Sequence, residues 1–341
     1  SSSLNTYLDS PVLFYAKSRN FDFGPCNRQN VSNLSKFISH RIILEYDLVL
    51  RALEKHKFQA IEKFIQEIFW RVYWKGWLEL RPQVWKDFIE YRPQGDTSSF
   101  EAATAGKTDI KCFDDWVDEL KETNYLHNHT RMWFASIWIF TLKLPWQLGA
   151  RFFLEHLYDG DAGSNTLSWR WVAGLQTKGK HYLAKPWNIR KYTNERYLNF
   201  QLNEQSQPLH EDHTYSIEPF PYGSREEKLN DYLLLTDNDL NFNNRNELYN
   251  KYKRIFILTL SNEKRIIPIS RKVLEFKNNA VSSFKKYYPH AEICDDSFEE
   301  VAKSIIDFDV VYPFVGENLD YINQLESELR LNINFLVRRE D

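Results

Sequence analysis

Between Asn124 and Trp171 the chain sets down residues able to do chemistry at helical spacing. Asn128, Arg131 and Met132 stand three and four positions apart in LHNHTRM. A helix there brings an amide, a guanidinium and a thioether onto one face, which can grip a polar ligand. Asp159, Asp161 and Asn165 follow in the glycine-bearing run DGDAGSN. Acids this close to an apolar helix need donors, either Arg131 or the N–H groups of a ligand. Upstream, FQAIEKFIQEIFWRVYWKGWLEL places Phe64, Glu67, Trp70 and Arg71 on one helix face, an acid between two aromatics. For each piece alone the plain reading is structural: a packed helix, a capped loop, an exposed Glu67–Arg71 pair at i,i+4.

The elements that must hold these residues can be read from periodicity. WFASIWIFTLKL is apolar nearly all round, as a helix buried on most sides is, and Pro145-Trp146 closes it. Trp169 and Trp171, about 200° apart on a helix, must face different surroundings. At the start, LNTYLDSPVLFYAKSRNFD has a helical pattern carrying Tyr15 and Arg19, and it breaks at Gly24-Pro25. Ser32 has the plain reading of a helix cap. Residues 201–229, with Pro208, Pro219, Pro221 and Gly223 among polar residues, read as a linker. Beyond them DYLLL, KRIFILTL, HAEIC, DVVYPFV and NINFLV are short apolar runs separated by helical patterns. That alternation predicts a doubly wound parallel sheet over 230–341, with Ser297 and Glu300 as a capping box for one helix and no GxGxxG at Gly316.

Composition narrows the class. A chain of 341 residues with eleven tryptophans is long enough for two domains and a substantial core. No secretory leader opens it and no apolar run approaches the roughly 18 residues of a spanning helix, so a cytoplasmic protein with no membrane contact is expected. Cys26, Cys112 and Cys294 are far apart and lack metal-ligand spacing, so neither a disulfide framework nor a metal site is expected. The net charge is −3, and the mildly basic first part is compatible with a polyanion but does not require one.

Several of these stretches, in order, carry a family resemblance. HNHTRM, DGDAGSN and WRW resemble the HNRLRM, D-x-D-x-x-x-N and WQW signatures of the FAD-binding domain of DNA photolyases and cryptochromes. VSNLSKFI resembles the family's TSxLSPYL segment, the Glu67–Arg71 stretch its E-x-x-W-R helix, and AGKTD its GKTG turn. The resemblance implies an all-helical FAD-binding domain over 1–200, followed by a small Rossmann-like α/β domain. That second domain is similar to the one usually placed first, which implies a circular permutation. It is expected to brace the flavin domain and hold no antenna pigment.

By the same resemblance FAD is held by Tyr15, Ser32, Asn33, Leu34, Ser35, Phe64, Arg71, Asn128, Arg131, Asp159, Asp161 and Asn165. Arg131 and Asp159 pair beside the ring, Asp161 accepts a flavin N–H, and Asn165 sits near the atom that gains a proton. Glu67, Trp70, Asn128, Met132 and Trp171 match the lesion-facing positions of the cyclobutane-dimer branch. Trp169 and Trp146 match the inner members of an electron relay, whose outermost position falls on Ala103. Departures are Val31, Lys36 and Arg41 in the phosphate segment and Tyr125 in place of a tryptophan. The implied activity is light-driven electron transfer from reduced flavin to pyrimidine dimers in damaged DNA; the alternative is a flavin photoreceptor with a signalling partner.

Overall fold

The computed structural model describes residues 2–95, 97–220, 227–242, 245–295 and 297–337. Pro221, Gly223 and the last four residues of the expected α/β segment lie outside these ranges. The first part of the chain is helical. Its central strut is Phe58–Glu79, packed on Ala162–Ala173, which in turn lies against Trp146–His156. The apolar run expected to be buried on most sides forms Asn128–Ser136 and continues through a π-helical turn at Ile137–Thr141. Trp133, Phe134, Ile137 and Trp138 of this run are wholly buried in a core shared with Trp85, Phe113, Trp116 and Trp169.

The opening segment is not one helix. Ser2–Asp9 stops where Ser10-Pro11 starts a 3-10 turn, because the proline ring is compatible only with a first helical turn. Tyr15–Ser18 is a single turn beyond it. This segment packs with Ile61, Phe64 and Ile65 into a second helical cluster.

The five apolar runs form five parallel strands: β1 Tyr232–Thr236, β2 Arg254–Leu258, β3 Ala291–Cys294, β4 Asp307–Val311 and β5 Asn332–Leu336, in the order β3-β2-β1-β4-β5. A parallel sheet covered on both faces buries both sets of side chains, which is why its strands read as continuous apolar runs. Leu233, Leu235, Ile255 and Ile257 fill one face, and Leu234, Phe256, Phe308 and Val310 the other. Arg271–Tyr287, Phe298–Ser304 and Glu317–Leu329 are the crossover helices. The Ser297–Glu300 capping box does not form. Ser297 has helical backbone angles (φ −72°, ψ −11°) where a cap residue is extended, and its own N–H donates to Asp295 Oδ1 at 3.2 Å.

The carboxyl ends of β1 and β4 face the helical part. Glu79 accepts from Tyr312 Oη at 2.7 Å and from Val315 N at 2.6 Å. Arg41 meets Asp239 at 3.2 Å, and Trp85 Nε1 donates to Asp320 at 2.7 Å. Residues 201–220 form no helix or strand but are not a free tether. They strap the helical part through Leu209 N to Ala173 O (2.9 Å), Glu218 N to Leu80 O (2.9 Å), and the ion pair of Glu211 with buried Arg170.

Candidate functional site

His127 caps the Asn128–Ser136 helix, its Nδ1 accepting from His129 N at 3.2 Å. Burial holds the His127 ring pKa down to about 4, so the ring is neutral and the nitrogen stays an acceptor. From this fixed start the helix presents Asn128, Arg131 and Met132 to one cavity of about 270 Å³. Glu67, Trp70 and Arg71 enter it from the Phe58–Glu79 helix, Asp159 from the following loop, and Asn165, Trp169 and Trp171 from Ala162–Ala173. A second cavity of about 520 Å³ adjoins it, sharing Glu67, Trp70, Trp74, Asn128, Met132 and Trp171 and adding Arg19, Tyr73 and Trp77. These volumes fall about where small-molecule sites do, roughly 300–1,000 Å³.

The charges in the cavity are matched internally. Arg131 donates through Nε to Leu126 O at 2.9 Å and lies 3.0 Å from the Asp159 carboxylate. Burial alone would raise the Asp159 pKa, yet Arg131 and then Arg71 hold it below the usual carboxylate value. The Ser35 hydroxyl adds to this. Asp161 is committed twice: one oxygen caps Ala162–Ala173 through Ser164 N at 2.7 Å, and the other takes Arg71. Asn165 donates its amide nitrogen to Ala150 O at 2.9 Å, leaving its amide oxygen as what it can offer a ligand. Two further polar atoms of cavity residues, Ser164 Oγ and Trp169 Nε1, are buried without a protein partner. Buried polar atoms are rarely left so, and both suit a hydrogen-bonding ligand.

Not every residue singled out in the sequence reaches this cavity. Asp161 lines the neighbouring crevice towards the sheet, with Lys75, Phe314 and Glu317. Phe64 is buried against Tyr15 (5.4 Å between ring centroids) and Tyr7 (5.7 Å). Ser32, Asn33 and Leu34 make a turn before the Ser35–Ser39 helix. In it Asn33 has φ 55° and Ser32 Oγ accepts from Leu34 N at 3.4 Å, so Ser32 braces the turn and does not cap the helix. Trp146 is buried beside Phe88, 5.5 Å away and stacked, outside the cavity. Trp169 is buried among Phe134, Phe153 and Trp138, while Trp171 is half-buried against Tyr182 at 6.0 Å, so the two indoles do face different surroundings.

Two features escaped the sequence. Arg19 meets Glu67 at 2.5 Å, and Arg71 turns to Asp161, so the i,i+4 pair Glu67–Arg71 does not form. Trp74 stacks on Trp70 at 5.6 Å and lines both cavities. Following the Glu67–Trp70 face one more turn along the helix would have found it.

Set beside known proteins, residues 64–204 match the FAD binding domain of DNA photolyase, which makes FAD the cofactor. A deoxyribodipyrimidine photo-lyase of Streptomyces griseus is 35% identical over 177 residues, covering 51% of this chain and 38% of that protein. One from Neurospora crassa is 29% identical over 192 residues, covering 52% of this chain and 31% of its own length. The match therefore spans well under half the length of either relative. The cryptochrome of Synechocystis sp. shares the fold at a TM-score of 0.50 and 21% identity, over 57% of this chain and 42% of that one.

Proposed function

We propose that this chain is a light-driven, FAD-dependent photolyase-like protein acting on cyclobutane pyrimidine dimers in damaged DNA. The observation that carries the reading is the content of one cavity. Glu67, Trp70, Asn128, Met132 and Trp171, the expected lesion-facing set, share it with Arg71, Arg131, Asp159, Asn165 and Trp169 from the expected flavin side. When bound and reduced, FAD supplies an electron donor that light can excite. The protein's part is placement and field. Arg71 and Arg131 hold positive charge at the cavity wall, and the Asp159 carboxylate orients Arg131. Trp70, half exposed at the mouth and stacked on Trp74, offers a face for a base turned out of the duplex. Turning out a dimer costs a few kcal/mol, least where stacking is already damaged.

One observation favours the second reading, a flavin photoreceptor without repair. The Glu67 carboxylate already has a partner in Arg19 and does not need a lesion to satisfy it. The permuted arrangement, with a flavin domain over 1–200, a connection over 201–229 and a bracing α/β domain over 230–341, is part of the proposal. So are a cytoplasmic location and the absence of an antenna pigment. No helix among the described residues is long and apolar enough to cross a membrane, and no cluster of three potential metal ligands occurs among them. The test is illumination of the reduced, FAD-loaded protein with dimer-containing DNA, reading out dimer loss. Splitting that requires light supports repair. An absence of both splitting and preference for damaged DNA refutes it and leaves the photoreceptor.

A further inference from the structure

Resting on the flavin reading above, an electron relay that starts at Trp169 needs an oxidisable group near the surface at its far end. Ala103, the aligned outer position, is fully buried and cannot be oxidised. Among described residues the ring neighbours of Trp169 are Phe134, Phe153 and Trp138, and those of Trp138 are Phe100, Phe113, Phe134, Phe152 and Trp169. That direction leads deeper into phenylalanine. Trp146 leads elsewhere. It stands one turn before Gly149, against which the Trp169 ring presses so closely that a Cβ would lie 2.2 Å from Cη2. The Arg170 guanidinium lies 5.9 Å from the Trp146 ring centroid and 5.1 Å from that of Tyr215. Tyr215 belongs to the 201–220 strap and is half-buried, and its hydroxyl donates to Asp87 Oδ2 at 2.8 Å.

We propose that Tyr215 is the terminal electron donor, with Asp87 as its proton acceptor and Arg170 as the group that holds Tyr215 to Trp146. Trp169 loses an electron towards the flavin and is refilled from Trp146. Tyr215 then returns an electron to Trp146. As it does so the phenol O–H breaks, the proton passes to the Asp87 carboxylate, and a neutral tyrosyl radical remains. An external thiol restores Tyr215 by giving up one electron and one proton, Asp87 releasing its own. A phenol is hard to oxidise without losing its proton, and this one is kept protonated by burial and then by Asp87 itself, so the carboxylate within hydrogen-bond distance is what makes the step available.

The experiment is electron paramagnetic resonance and transient absorption on illuminated, oxidised, flavin-loaded protein. Tyr215→Phe keeps the ring against Arg170. The wild type is expected to give a tyrosyl radical, and Tyr215→Phe to lose it and leave a tryptophanyl radical that recombines faster. Asp87→Asn is expected to suppress the tyrosyl signal with Tyr215 still in place. A solvent-deuterium isotope effect on tyrosyl formation is expected in the wild type, which a purely structural role would not produce. A tyrosyl signal that survives Tyr215→Phe, or that disappears instead in Tyr73→Phe at the cavity mouth, overturns the assignment. So does a wild type that yields only tryptophanyl radical. Protein without flavin absorbance, or with flavin but no radical at all, would instead sink the flavin reading on which the assignment stands.

Discussion

Replacing Glu67 with alanine separates what the acid does for the fold from what it does for a ligand. In the structure it meets Arg19 at 2.5 Å, with both side chains about a quarter exposed (23% and 24%). An ion pair that open to water contributes about 0.2–1 kcal/mol. The shift is about 2–4 °C per kcal/mol for 150–250 residues and smaller for a chain of 341, so the Tm should fall by only a few degrees at most. If the carboxylate accepts hydrogen bonds from a turned-out dimer, each bond lost is worth about 1.5–3 kcal/mol, or roughly one to two decades in Kd. Fluorescence titration with a dimer-containing oligonucleotide, beside thermal unfolding and flavin absorbance, measures all three quantities. The expected pattern is weaker lesion binding, intact flavin content and a nearly unchanged Tm. Arg19→Gln breaks the same ion pair but keeps the acid, so lesion binding should be retained or improved. Unchanged Kd in Glu67→Ala with a normal Tm would refute the lesion-facing role; a Tm collapse would show the acid to be structural.

Asp161→Ala should lower flavin occupancy and cost about 1 kcal/mol more in stability than Asp161→Asn, because asparagine still caps the Ala162–Ala173 helix while both leave Arg71 without its carboxylate; full occupancy in the alanine variant, read from the flavin spectrum, contradicts this. Gly149→Ala should destabilise by about 1–3 kcal/mol and shift tryptophan fluorescence, since the added methyl would lie 2.2 Å from Trp169 Cη2 and 3.0 Å from Trp138 Cε2; an unaltered melting curve contradicts it. The His40 pKa is held down to about 3, by burial and then by Lys277. The unfolded chain therefore binds the extra proton first, and stability present above about pH 6.5 is lost as pH falls towards 3, by up to about 1.4 kcal/mol per pH unit. Asp237, held at about 2 against burial by Lys277 and then Arg265, adds to the loss only at the acid end. Urea midpoints across this range should flatten in His40→Phe, and an identical slope in the variant would rule His40 out.

The sheet was legible because a parallel strand covered on both faces must be apolar throughout, and DYLLL and KRIFILTL are so. The cavity was legible where its members lie on single helices, as Asn128, Arg131 and Met132 do, since spacing alone decides which residues share a face. The Arg19–Glu67 pair was not, because 48 residues separate the partners and the turn at Pro11 redirects the opening segment. Nor was the partner of Arg71. Spacing offered Glu67 and the fold supplied Asp161, 90 residues on. The strap read as a linker from its prolines, and nothing local announced that Tyr215 and Glu211 would settle on Asp87 and Arg170. Ser297 carried the letters of a capping box without the extended backbone a cap requires.

The segment just after Asp161 is closely packed on both sides. A Cβ on Gly163 would lie 3.2 Å from Lys75 Cα, and one on Gly316, in the loop after β4, 3.2 Å from Ala162 Cβ. Ala162 and Gly163 thus sit between the Phe58–Glu79 helix, close to Gly163, and the loop after β4, whose Gly316 is close to the Ala162 side chain. A side chain added at Gly163 would press on the Lys75 backbone, and one added at Gly316 on Ala162, so bulk at either glycine must be taken up where the helical part meets the sheet. The joint between the helices and the sheet therefore depends on small residues at Gly163 and Gly316, while the cavity wall beside it is lined by larger side chains such as Asn165 and Trp169.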